Sequence, residues 1–134
     1  MQQNQLALSN NGQQPADSNL IEITLPGELR FHLSLILPIL NQLTYESGPG
    51  WLTYVGTALL AKKDCRRFGL NWQRLLQVLP SARCNALDIA ERALNSGRSH
   101  TVVVTATSCD AQQLQRLENA ARDGKCRCIL IRTR

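Results

Sequence analysis

Residues 86–104 read ALDIAERALNSGRSHTVVV, and this stretch decides the fold class. Alanine and leucine recur on one helical face, which predicts a helix over residues 81–96 that ends at Gly97 in a left-handed cap. Thr101 to Val104 is an apolar, β-branched run, typical of a strand covered on both faces. A helix leading directly into such a strand favours an α/β protein with a parallel sheet.

Helices and strands also alternate in the predicted structure on both sides of this stretch. Apolar alternation and β-branched or aromatic runs predict further strands over residues 20–25, 51–55, 75–79 and 126–131. Helical spacing predicts helices over residues 29–45, 59–68 and 111–123, and Pro38 is expected to kink the first of these or to divide it. Asp110 and Gln113 form the capping pattern of the last helix. The sequence therefore predicts one α/β domain over residues 20–134, with a mainly parallel sheet of about five strands and helices on both faces.

Residues 1–19 have a different composition from the rest of the chain. They are rich in Gln, Asn and Ser, and Asp17 is their one charged residue. This composition predicts a disordered arm. We find neither a signal-peptide pattern nor an apolar run of about 18 residues, so we expect a cytoplasmic protein with no membrane partner. An odd number of cysteines, five, favours reduced thiols.

The chain of 134 residues is basic, with 15 Lys and Arg against 10 Asp and Glu and a formal net charge of +5. Five basic residues and one aromatic residue lie close together in the sequence: Lys62, Lys63, Arg66, Arg67, Trp72 and Arg74. We expect them to form a positive rim near the carboxyl end of the second strand. Such a rim suits an acidic protein surface or nucleic acid, whereas the alternative interpretation is a solvated helix face. We expect Arg74 to remain solvated, so that its replacement changes stability by only a few tenths of a kcal/mol.

Catalytic and cofactor motifs are sparse. The sequence has no phosphate-binding loop of the two common kinds, since Val55-Gly56-Thr57 lacks a lysine. The thiols of Cys126-x-Cys128 would share one face of a strand without a second ligand pair, so we expect no metal site and no cofactor. His100 could reach Cys109 or Cys126, which leaves a small cysteine-dependent enzyme as an alternative function beside a nucleic-acid-binding module. We favour neither alternative and assign no catalytic residue.

Phe31 and Leu35 lie four residues apart in the first predicted helix, beside its main apolar face. This position makes them candidates for self-association, although residues of the hydrophobic core would show the same pattern.

Four stretches in this order and spacing resemble one known family. They are LSLILPILNQL at 33–43, WLT at 51–53, GL at 69–70 and ALNSGRSHTVV at 93–103. The chain resembles the SulA cell-division inhibitors of bacteria over residues 20–132. The resemblance implies a truncated RecA-like fold without a nucleotide site, which agrees with the missing phosphate-binding loop.

The resemblance also implies a function and partners. Members of this family are made in the SOS response to DNA damage and bind FtsZ, the GTPase that builds the division ring. They cover the FtsZ face whose loop completes the GTPase site of the next subunit, and so block polymerisation and GTP hydrolysis. They form homodimers and are degraded by Lon protease. The expected function is therefore a non-enzymatic inhibitor of FtsZ.

Individual positions can be carried over from the family to this chain. Val55 matches an apolar position at the end of the second strand, and Arg74 matches a basic position before the third; both belong to the FtsZ-facing surface. Asp64 stands about where the family can carry a large aromatic residue, and Gly50 replaces a basic residue. The chain ends at Arg134, so we expect it to lack a long tail for protease recognition.

Overall fold

The computed structural model describes residues 18–46, 49–56 and 60–133. Strands and helices alternate along the chain, as the sequence predicts. In chain order the elements are β1 (Leu20–Leu25), α1 (Leu33–Thr44), β2 (Trp51–Val55), α2 (Lys62–Arg67), β3 (Leu75–Val78), α3 (Ala86–Ser96), β4 (Ser99–Ala106), α4 (Ala111–Asp123) and β5 (Arg127–Thr133). Among the residues described, no helix is both long and apolar enough to cross a bilayer.

Five strands in the described part of the chain form one sheet in the order β1-β5-β4-β2-β3, and every neighbouring pair is parallel. This arrangement confirms the predicted α/β class and the parallel sheet. The β2–β4 pairing shifts by one residue at its amino end, where Trp51 pairs with Ser99 but Leu52 with Thr101. His100 is therefore the extra residue of a β-bulge.

Apolar side chains fill both sides of the sheet. On one side α3 and α4 pack against Val102 and Val104, and on the other α1 and α2 pack against Val103 and Ile131. Alternate residues of β4 thus enter opposite cores, which explains its continuous apolar run. Helices cover both faces, as predicted.

Helix boundaries depart from the sequence expectation in three places. Residues 29–32 form a 3₁₀ turn, and α1 then continues through Pro38 without dividing. Helix α2 begins at Lys62 because Leu60 is held outside it, with its N–H donating to Oε1 of Gln77 at 2.7 Å. Helix α3 begins at Ala86 and not at 81, because the Asn85 side chain caps it by accepting from the Asp88 N–H. Polar side chains, rather than apolar periodicity, thus mark two of these starts, and at α3 the polar side chain is a true cap.

The predicted arm mostly lies outside the described residues, which begin at Ser18. The last two residues assigned to it are fixed in the structure. Ser18 donates to Oε2 of Glu118 at 2.9 Å, and the Asn19 amide lies 3.4 Å from the carbonyl oxygens of Ala121 and Cys126. These two side chains thus bond to α4 and to the residue before β5, and the rest of the predicted arm lies outside the described residues.

Candidate protein-binding surface

A second 3₁₀ turn, Trp72–Arg74, leads directly into β3 at the edge where the amino ends of the parallel strands meet. Asn71 caps this turn by accepting from the Gln73 N–H at 3.2 Å. The Asn71 N–H in turn donates to Oγ1 of Thr44, a buried residue at the end of α1, at 3.1 Å. The turn is thus fixed to α1, so Trp72 and Arg74 have a rigid support.

The Arg74 guanidinium binds the segment that enters β2. Its Nε and Nη2 atoms donate to the Gly50 carbonyl at 3.2 and 2.9 Å. Gly50 has φ of 107°, and a Cβ there would lie 2.9 Å from the backbone nitrogen of His100, so a glycine is needed at this approach. Arg74 is half-buried, and the expectation of a fully solvated side chain is wrong because it bridges the entries of β2 and β3.

Several other aromatic and basic side chains that are exposed lie on the same edge as Arg74. Tyr45, Trp51 and Trp72 are 61%, 42% and 37% exposed. Arg98 is also exposed, and its carbonyl accepts from the Trp51 N–H at 3.0 Å. Arg127 begins β5 and forms an ion pair with Glu46. We call this set the amino-edge surface: Tyr45, Trp51, Trp72, Arg74, Arg98 and Arg127.

Aromatic rings and guanidinium groups are the side chains that most often dominate protein–protein interfaces. The sequence indicated Trp72 and Arg74 but not the other four members. Those four lie at the end of α1 or at the starts of different strands, so only the strand order brings them together. Trp51, Arg98 and Arg127 share a signal in the sequence, namely a position just before or at the start of a strand, whereas Tyr45 follows the last residue of α1.

The predicted basic set occupies two locations. Lys62, Lys63 and Arg66 are exposed on α2, together with Arg67, whose guanidinium lies 5.6 Å from the Phe68 ring centre. Because β2 and β3 are parallel, α2 starts beyond the carboxyl end of β2 and leads back towards the amino end of β3. A single rim at the carboxyl end of the second strand is therefore wrong: Lys62 and Lys63 begin α2, whereas Trp72 and Arg74 lie at the opposite edge.

Val55 does not reach the surface. Its side chain is fully buried in the core beneath α3 and α4. Strand β2 lies between β4 and β3 and carries helices on both faces, which covers its last residue. The interpretation of the Val55 side chain as a partner contact is therefore wrong.

Phe31 and Leu35 form a separate apolar patch. They are 69% and 48% exposed, and the Arg30 guanidinium lies 4.8 Å from the Phe31 ring centre. They precede and begin α1, whereas the amino-edge surface lies beside the end of α1. The alternative that these two residues belong to the core does not hold.

Cys109 and Cys126, the two thiols nearest to a role as nucleophile in the sequence, are poorly suited to that role. Burial raises the pKa of the Cys126 thiol to about 11 and also raises the pKa of Cys109. His100 Nδ1 lies 2.9 Å from Oγ1 of Thr101, and no hydrogen bond joins His100 to either thiol in the described part of the chain. A nucleophilic cysteine requires a stabilised thiolate, so this geometry gives a cysteine-dependent reaction no support.

The comparisons with known proteins agree with this fold. The model of a protein family described as cell division inhibitor SulA matches residues 22–128. The chain belongs to the SulA family. A SulA cell division inhibitor of Pseudomonas aeruginosa is 35% identical over 112 residues, which cover 83% of this chain and 70% of that protein. The crystal structure of SulA from Pseudomonas aeruginosa matches with a TM-score of 0.78 and 33% identity, covering 90% of this chain and 100% of that one. The predicted α/β fold with a parallel sheet is thereby confirmed as that of the family, and so is the general function of a cell division inhibitor.

Proposed function

We propose that this SulA-family protein stops cell division by binding FtsZ through the amino-edge surface. Binding there would block FtsZ polymerisation and the GTP hydrolysis that polymerisation completes. The observation that carries the proposal is the grouping of three exposed aromatic rings with three arginines on one edge. Such a surface combines apolar contact area with guanidinium donors for carboxylates.

The chemistry of the implied target fits this surface. The FtsZ loop that completes the neighbouring GTPase site carries carboxylates, which guanidinium groups would bind. An inhibitor occupying this loop prevents the next subunit from adding. Lys62, Lys63 and Arg66 lie outside the amino-edge surface and would chiefly speed the encounter of the two proteins through long-range attraction.

The remaining properties follow from this mechanism and from the family. The protein acts as a stoichiometric binder in the cytoplasm and not as an enzyme, and is made in the SOS response. It forms a homodimer through Phe31 and Leu35. Nucleic acid and membranes are not partners. Any fall in GTP turnover arises from FtsZ subunits withheld from filaments.

Charge reversal tests the surface directly. Arg74→Glu would place a carboxylate opposite carboxylates, and we expect FtsZ affinity to fall about 100-fold or more. The same change removes the bonds to Gly50, so we also expect the free energy of unfolding to fall by about 1–3 kcal/mol. Arg98→Glu lies on the same surface without those bonds and is expected to weaken FtsZ binding about tenfold at unchanged stability. Lys62→Glu and Lys63→Glu should slow association while preserving most of the affinity.

The matched control is Arg92→Glu, which reverses an exposed charge on α3 that is not a member of the amino-edge surface. The affinity of each variant for FtsZ is measured by biosensor in low and physiological salt. Its free energy of unfolding is measured in urea. If Arg98→Glu and folded Arg74→Glu bind FtsZ as tightly as Arg92→Glu does, the amino-edge surface is not the binding site.

A further inference from the structure

A cleft of about 480 Å³ opens on the α1–α2 side of the sheet, at the carboxyl ends of β2, β4 and β5. Its walls include Leu29, Leu33 and Leu60, and Tyr54 and Thr105 contribute from the strands. Clefts that hold small ligands typically measure about 300–1,000 Å³ and combine apolar walls with a few polar groups. Size and lining therefore both suit a small molecule.

Two largely buried residues of this cleft carry hydroxyl groups that have no hydrogen-bond partner among the described residues. Tyr54 is 1% exposed and Thr105 is 6% exposed. The other buried hydroxyl residues are all paired: Thr44 with the Asn41 carbonyl, Thr53 with Ser99, and Thr101 with His100. In the part of the chain that the structure describes, the fully buried side-chain polar atoms without a hydrogen-bond partner are His100 Nε2 and Arg132 Nε, so the hydroxyl oxygens of Tyr54 and Thr105 are open to the cleft. Both hydroxyls are therefore available to a ligand in the cleft.

The chain topology places the cleft where α/β proteins usually bind ligands. From β2 the chain moves outward to β3 and then returns to β4 on the other side of β2. Helices α1 and α2 pack on one face and α3 and α4 on the other, so the direction of winding changes between β2 and β4. Tyr54 and Thr105 lie at the carboxyl ends of these two strands, beside this switch point.

The polar groups of the cleft restrict the charge of a ligand. Burial, with a smaller contribution from Cys65, raises the pKa of Tyr54 to about 12, so its hydroxyl keeps its proton and can donate. Glu28, Arg30 and Asp64 also line the cleft, and the Arg30 Nε lies 2.5 Å from Oε1 of Glu28. Two carboxylates against one paired guanidinium disfavour an anion.

We propose that this cleft binds a small, neutral, largely apolar molecule whose carbonyl oxygen accepts hydrogen bonds from the hydroxyls of Tyr54 and Thr105. The site lies at the carboxyl ends of the strands, at the opposite edge from the amino-edge surface. It is independent of FtsZ binding, so either assignment can fail without the other.

Three probes of similar size separate the contributions of a carbonyl group and of negative charge to binding in the cleft. Acetophenone is neutral and carries a carbonyl, ethylbenzene lacks the carbonyl, and benzoate is an anion. Each is titrated into the ¹⁵N-labelled full chain while amide chemical shifts are followed. We expect saturable shifts with acetophenone at residues 54–56, 60–64 and 105–107, at least fivefold weaker binding of ethylbenzene, and still weaker binding of benzoate.

Hydroxyl deletions assign the preference to named groups. Tyr54→Phe and Thr105→Val should each reduce the preference for acetophenone over ethylbenzene and should not destabilise the protein, because neither hydroxyl has a partner to lose. Thr53→Val is the matched control: its hydroxyl lies 2.6 Å from that of Ser99, so this variant should lose stability and keep the preference.

Three results would overturn the proposal. The first is the absence of saturable shifts with acetophenone. The second is an unchanged preference for acetophenone in both Tyr54→Phe and Thr105→Val. The third is movement of the cleft amides on addition of FtsZ but not of acetophenone, which would assign the cleft to a protein side chain.

Discussion

At the residue scale, His100 lies in a β-bulge and has a lowered pKa. It occupies the bulge of β4, and in the described part of the chain its buried Nε2 atom has no hydrogen-bond partner. Burial lowers the pKa of His100 below its ordinary value of 6.5; Arg127 and Arg74 lower it further, whereas Glu46 acts in the opposite direction. The folded protein therefore favours the neutral imidazole.

This shift predicts a pH dependence of stability. Above pH 6.5 His100 is neutral in both the folded and the unfolded chain, so its contribution to stability is complete. As the pH falls below 6.5, the unfolded chain takes up the proton more readily and this contribution is lost, until the pH passes the folded pKa. His100→Gln should thus show a shallower decline of unfolding free energy between pH 7.5 and 5.5, measured by urea unfolding. Identical slopes for the variant and the wild type would contradict this account.

At the element scale, Gly124 sets how closely α3 and α4 approach. A Cβ on Gly124 would overlap the carbonyl oxygen of Leu94 and lie 2.9 Å from its carbonyl carbon. Gly124 follows the last residue of α4 with a φ of −85°, and Lys125 has the positive φ. The glycine is thus needed for close packing and not for a left-handed turn.

Paired alanine substitutions separate these two uses of glycine. Gly124→Ala forces two helix backbones apart, and we expect it to lower the free energy of unfolding by about 3 kcal/mol. Gly97→Ala is the control, since Gly97 has φ of 73° and open space around it, so only the backbone conformation is penalised, by about 1 kcal/mol. Urea unfolding followed by circular dichroism measures both. Equal losses would mean that the contact with Leu94 does not constrain the helices.

The exposed patch of Phe31 and Leu35 predicts the outcome of a double substitution. Phe31→Gln with Leu35→Gln should change stability by no more than about 0.5 kcal/mol, because both side chains are already exposed. If the patch forms the proposed dimer, sedimentation equilibrium should show a folded monomer. Ile21→Gln, at a residue 44% exposed on β1, serves as the control and should leave the dimer intact. A double variant that remains dimeric would place the interface elsewhere.

The positions of strands and helices along the chain were easier to predict from the sequence than the arrangement of these elements in space. Local patterns such as the Thr101 to Val104 run and the Asp110 cap suffice to find strands and helices, because they depend on residues close in the chain. The contact of Arg74 with Gly50 and the burial of Val55 depend instead on β2 lying between β4 and β3. Nothing in the local pattern encodes that order, so the candidate site was only partly predicted.

At the scale of the whole molecule, the sheet separates two regions of different chemistry. Arginines and aromatic rings gather at the amino edge, whereas the hydroxyl-lined cleft lies at the carboxyl edge. The net charge of +5 by itself would suit a nucleic-acid-binding module equally well. Such a module would bind DNA or RNA with a steep salt dependence and would not affect FtsZ, so the two functions predict different measurements.

Sedimentation of FtsZ polymers formed with GTP tests the central claim most directly. We expect the pelleted fraction of FtsZ to fall in proportion to the added protein and to approach zero near equimolar amounts, with GTP turnover falling in parallel. Arg98→Glu should require a higher concentration for the same effect, and Arg92→Glu should act like the wild type. An unchanged FtsZ pellet at a molar excess of the folded protein would contradict the account.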